Sequence, residues 1–142
     1  MSRIIYQNEE GRAAIVIPSP NYKGTMEALA SKVVPRGRTY QIVDDGQIPE
    51  DRTYRNAWVE GDKKIDIDMP KARVIFLDNV RTIRNAKLAE LDVEVMKKIE
   101  KGESAAELAT EKQRLRDLPE TLAVEVEHCE TVKDFEKVEY KI

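Results

Sequence analysis

Between Pro70 and Gly102 the chain carries apolar side chains at Ala72, Phe76, Val80, Ile83, Leu88, Leu91, Val95 and Ile99, at intervals of 4, 4, 3, 5, 3, 4 and 4 residues. That period is a helix with one apolar face, and it restricts the possible folds more than any other feature. Pro70 suits a first helical position because its missing N–H would have had no partner there. Gly102 suits the stop, and Lys97, Lys98 and Lys101 put cations at the negative end of the helix dipole. At about 1.5 Å per residue, about thirty residues make a rod of about 45 Å, longer than a compact domain of this size requires. The stripe is then either the core face of an intramolecular bundle or a seam for another chain. On the second reading the protein self-associates through Phe76, Val80, Ile83, Leu88, Leu91 and Val95.

The segments flanking the rod are equally patterned. Tyr54 to Val59 reads as a strand, Glu60-Gly61-Asp62-Lys63 as a turn, and Lys64 to Asp68 as a second strand with its isoleucines alternating. Trp58 in that hairpin is a candidate interface anchor, or the anchor of a small core. Beyond Gly102, Ser104 and Glu107 have capping-box spacing, and a second helix is expected to run to Asp117, before Pro119, antiparallel to the first. In the tail, Leu122, Val124 and Val126 alternate like a strand, while Thr131 to Val138 has the makings of a helical turn or two.

The N-terminal segment predicts β-β-α-β. Arg3 to Gln7 and Arg12 to Pro18 are short apolar runs separated by Asn8-Glu9-Glu10-Gly11, the composition of a hairpin loop. Thr25 is a plausible N-cap for a helix with Met26, Leu29, Ala30 and Val33 on one face, ending near Pro35 and Gly37, and Thr39 to Val43 is the third strand. The expected fold is therefore α+β: a small unit over residues 1–45, a β-hairpin plus helical hairpin over 52–119, and a tail over 120–142.

Chemistry is sparse in this sequence. His128 and Cys129 are single members of their types, and as adjacent residues they diverge on either a strand or a helix, a poor geometry for a nucleophile and its base. Asp44, Asp45, Asp62, Asp66 and Asp68 follow no ordered calcium-loop spacing, and no phosphate-binding glycine loop occurs. No metal, cofactor or catalytic residue is expected, and the chain reads as a non-enzyme. One cysteine excludes an intrachain disulfide. A net charge of -3 disfavours nucleic acid, which needs a basic face. Arg36, Arg38, Arg52 and Arg55, interleaved with Tyr40 and Tyr54, read instead as a charged protein interface. No apolar run approaches the roughly 18 residues of a membrane span.

Three stretches carry a family resemblance: RTYRNAWVEGDKKIDIDMPKAR, then AKLAELDVEVMKKIEKG, then KQRLRDLP. Together they resemble small proteins encoded in the tail modules of tailed bacteriophages and prophages, and the last is similar to the ending of tail-fibre assembly chaperones. The resemblance covers residues 52–119; the following LPETLAVEVEHCETVKDFEKVEYKI departs from the proline-containing aromatic tail usual in that family. It implies a non-enzymatic protein binding other phage structural or tail-fibre proteins, located in the bacterial host cytoplasm during assembly or in the virion. A bacterial regulatory or inhibitor-type protein-binding module is the alternative.

Overall fold

The computed structural model describes residues 1–142 and is α+β, with 52% of residues in helix and 14% in antiparallel strands. The residues form two compact units, Met1–Ala72 and Arg73–Ile142.

In the first unit β1 (Ser2–Gln7) is the centre of a sheet ordered β2-β1-β3, with β2 (Ala13–Val16) and β3 (Gln41–Asp44) antiparallel on either side. The β1–β2 loop forms as its composition predicts. The Asn8 side chain accepts from the N–H groups of Glu10 and Arg12 at 3.0 and 2.9 Å, and Gly11 takes φ +76, which a side chain would resist. Ile4 and Ile5 are both 0% exposed. Neighbours on a strand point to opposite faces, so both faces of the sheet are covered.

On the Ile5 face lies the hairpin of β4 (Trp58–Glu60) and β5 (Ile65–Ile67), and Ile5, Val43, Trp58 and Ile65 form one buried cluster. Two glutamines fasten it. Gln41 Nε2 donates to Glu60 Oε1 and the Gly61 carbonyl at 2.7 and 2.8 Å, while Gln41 Oε1 accepts from Lys63 N–H at 2.6 Å. Gln7 Oε1 accepts from Glu60 N–H at 3.1 Å. The opposite face is left to α1 (Met26–Val33), which packs against β1 and buries Ala30. Thr25 caps α1 as expected, its hydroxyl accepting from Ala28 N–H at 3.1 Å.

Two expectations change here. The strand expected over Tyr54 to Val59 is mostly a 3-10 turn, Arg55–Ala57, and pairing begins at Trp58. Ala57 is fully buried, with its carbonyl accepting from Asp68 N–H at 2.8 Å, so this stretch closes the hairpin's base instead of extending its ladder. The hairpin also shares its core with β1 and β3, so the compact unit runs to Ala72 instead of ending at residue 45.

Helix α2 (Met69–Glu100) starts in the first unit and supplies the second with its long strut. Its ends follow the sequence signals. The Asp68 carboxylate accepts from Lys71 N–H at 3.3 Å behind Pro70. At the other end Gly102 has φ +71, and the N–H groups of Gly102 and Glu103 bond the carbonyls of Ile99 and Lys98, a Schellman stop.

Helix α3 (Ala106–Glu127) departs from expectation at both ends. No capping box forms: Ser104 accepts only from Ala106 N–H, at 3.3 Å, and Ala105 occupies the cap position without a side-chain bond. Pro119, expected to lie beyond the end, sits buried inside the helix. An interior proline costs about 3 kcal/mol, and burial of Leu118, Pro119, Leu122 and Val126 on the continuing face offsets it. The strand alternative for Leu122 to Val126 is thereby removed.

The two helices are antiparallel, as expected. Arg84 Nη1 donates to the Arg116 carbonyl at 3.2 Å, Asp92 pairs with Lys112, and Arg73 Nη2 donates to the Cys129 carbonyl at 2.8 Å. After a 3-10 turn at Val132–Lys137 the tail returns along the pair. Phe135 stacks on Phe76 at 5.0 Å between ring centroids, Tyr140 meets Phe76 edge-on at 6.2 Å, and Arg114 donates to the Lys141 carbonyl at 3.0 Å.

Candidate interaction surfaces

The stripe proposed as an intermolecular seam is for the most part internal. Phe76, Val80 and Leu91 are 8%, 1% and 8% exposed, Leu88 and Val95 are half-buried, and Ile83 is 51% exposed. Trp58, the other candidate contact, is 1% exposed and belongs to the core of the first unit. The sequence stripe broke at the five-residue step after Ile83. In the structure Arg84 takes the vacant turn, its stem half-buried and its guanidinium bonded to the Arg116 carbonyl and to Asn85 Oδ1. The inward row is thus 76, 80, 84, 88, 91 and 95, and Ile83 lies beside it.

A second row occupies the outside of the same helix. Ala86, Ala89, Val93 and Met96 are all exposed and step by 3, 4 and 3 residues, the spacing of a coiled-coil seam. Val93 and Met96 are 51% and 63% exposed, and Ile83 and Ile99 flank them. Sequence reading missed this row because its alanines are weak apolar signals beside the leucines of the inner one. The heptad step was the signal that could have found it.

The other surface is a cleft of about 430 Å³ in the first unit, lined among others by Arg3, Arg52, Arg55, Trp58, Asp45 and Glu50. Of the expected basic cluster it gathers Arg52 and Arg55, whereas Arg38 donates to the Asn8 carbonyl at 3.4 Å. Arg3, unremarked in the sequence, supplies a largely covered charge: its Nε lies 2.6 Å from Asp45 Oδ1 in an ion pair, with only 16% of the side chain exposed. Arg3 Nη1 and Trp58 Nε1 are buried donors with no acceptor in the protein. Each such orphan costs roughly 1–3 kcal/mol.

The remaining candidates are structural. Cys129 is buried with its Sγ 3.7 Å from the Glu125 carbonyl, and burial, aided by the nearby Asp134 carboxylate, pushes its thiol pKa up, away from a nucleophilic thiolate. Asp66 pairs with Lys64, Asp68 serves the start of α2, and Asp44 and Asp45 hold the N-terminal amine. No group of three or more His, Cys, Asp or Glu residues is placed to hold a metal ion. No helix is long and apolar enough to cross a membrane. No protein-family model matches the chain, and neither a curated protein nor a solved structure matches it.

Proposed function

We propose that this chain is a non-enzymatic protein of a bacteriophage tail module, acting through protein–protein contacts in the virion or in tail and tail-fibre assembly. The observation that carries this reading is the outer row of α2. An amphipathic helix needs one partner face, and the inner row of α2 already has it within its own unit. Ala86, Ala89, Val93 and Met96 then form a seam directed at another chain.

The spacing of the row favours a second copy as its occupant. In an antiparallel pairing that sets Val93 against Ala89 of the second copy and Met96 against Ala86 of the second copy, all four residues of the row meet across the seam, and symmetry repeats the contacts. The phage-like wording of residues 52–119 supports the setting: a self-paired joint that other tail or fibre proteins then engage.

The test is the protein content of a phage or prophage particle whose genome encodes the chain. Mass spectrometry of purified particles finds it in stoichiometric amount if it is a permanent component. If it is an assembly factor, it is absent from particles and co-purifies with tail or fibre protein from the producing cells. Absence from both would overturn the reading.

A further inference from the structure

We propose that the cleft beside Trp58 is a binding site for a carboxylate carried on an apolar peptide. The proposal stands on the first unit alone and is independent of how α2 pairs. Its basis is two of the three buried donors that the fold leaves without acceptors: Trp58 Nε1 and Arg3 Nη1 belong to residues lining the same cleft, whereas the third, Arg73 Nε, lies in the second unit. The large majority of buried polar side-chain atoms in folded proteins have a hydrogen-bond partner, and a ligand is one source of the missing acceptor.

The ligand's charge follows from the lining. Three guanidiniums, Arg3, Arg52 and Arg55, face two carboxylates, Asp45 and Glu50, which leaves one positive charge uncompensated. That balance suits a monoanion better than a phosphate dianion. Arg3 is held at the cleft by its ion pair with Asp45, and its buried Nη1 is left to donate to an incoming oxygen. The indole N–H, a donor only, adds a second point of recognition from a side chain locked in the core. Ile15 and Ile48 make the cleft wall apolar, which calls for a hydrophobic side chain next to the carboxylate.

Entry requires the mouth to move, and its residues can. Arg52, Arg55 and Ile17 are exposed, and no acceptor holds either guanidinium. The incoming carboxylate displaces these exposed lining side chains and gains the charge of the two arginines. The arrangement selects an acidic group on a peptide, whether a chain terminus or a Glu or Asp side chain.

Trp58 is the chain's one tryptophan, so its emission reports on the site. Full-length protein is titrated with acetyl-Gly-Ser-Ile-Val as the free acid, with the same peptide as its C-terminal amide, with acetyl-Gly-Ser-Glu-Ile-Val amide, and with inorganic phosphate. We expect saturable change in Trp58 emission with the free acid or the glutamate peptide, at least about tenfold tighter than with the neutral amide. Which of the two binds identifies the source of the carboxylate. Arg52→Gln and Arg55→Gln, both at exposed positions, should each weaken binding about threefold or more while leaving the far-UV spectrum unchanged. Equal binding of the neutral amide, tighter binding of phosphate, or no response to any peptide up to about 1 mM would each overturn the assignment.

Discussion

At the scale of single residues, burial separates side chains that the sequence presents as equals. Leu115 is 0% exposed and Ile83 is 51% exposed, although both are branched aliphatics in the helical unit. Leu115→Ala should therefore cost about 2–5 kcal/mol through lost transfer energy and a residual cavity. Ile83→Glu should change stability by no more than about 0.5 kcal/mol, both measured by urea unfolding followed by circular dichroism. Equal losses would mean that Ile83 is core after all. The Cys129 thiol, pushed up by burial first and by Asp134 second, stays protonated at neutral pH. Its reaction with a disulfide reagent should be slow in the native protein and rapid after denaturation; a fast native reaction would contradict the burial.

Elements begin and end where local chemistry dictates, and fail to do so where packing overrides it. Gly102 holds φ +71 at the α2 stop with nothing around its Cβ position, so Gly102→Ala is penalised by backbone strain alone. The expected loss is about 1 kcal/mol in thermal or chemical unfolding. Asp134 ties the last 3-10 turn by accepting from the N–H groups of Glu130 and Thr131 at 3.0 and 3.1 Å, and these bonds hold its carboxyl below the usual range. A carboxyl lowered by folding contributes stability that is full above its unfolded pKa and is lost as pH falls through the folded value. Between about pH 5 and pH 3 the melting temperature of Asp134→Ala should consequently fall less than that of the parent. An identical acid limb would remove Asp134 from the account.

The same contrast explains what the sequence disclosed. Thr25, Asn8 to Gly11, Pro70 and Gly102 act within one turn of their own position, so their effects were legible. Pro119 was misread because its local penalty is outweighed by burial that the chain supplies only after folding. Gln7 and Gln41 fasten a hairpin 53 and 19 residues away, and no local pattern marks a glutamine for that task. Of the site, Arg52 and Arg55 were visible as a basic pair, but Arg3 and the orphaned Trp58 N–H required the fold to bring them together.

At the scale of the whole molecule, the proposed function uses one helix twice: the inner row of α2 is consumed by its own unit, and the exposed outer row is the proposed contact with another chain. A chain with 36% charged and 6% aromatic residues encloses only one small core in each unit, which leaves apolar side chains such as Val93 and Met96 exposed. The most direct test is sedimentation equilibrium of the intact protein, compared with Val93→Glu/Met96→Glu. The account predicts a concentration-dependent mass above the 16.3 kDa monomer for the parent, and the monomer mass with unchanged helical signal for the double variant. A parent that stays at 16.3 kDa at every concentration, or a double variant that associates as the parent does, would contradict it.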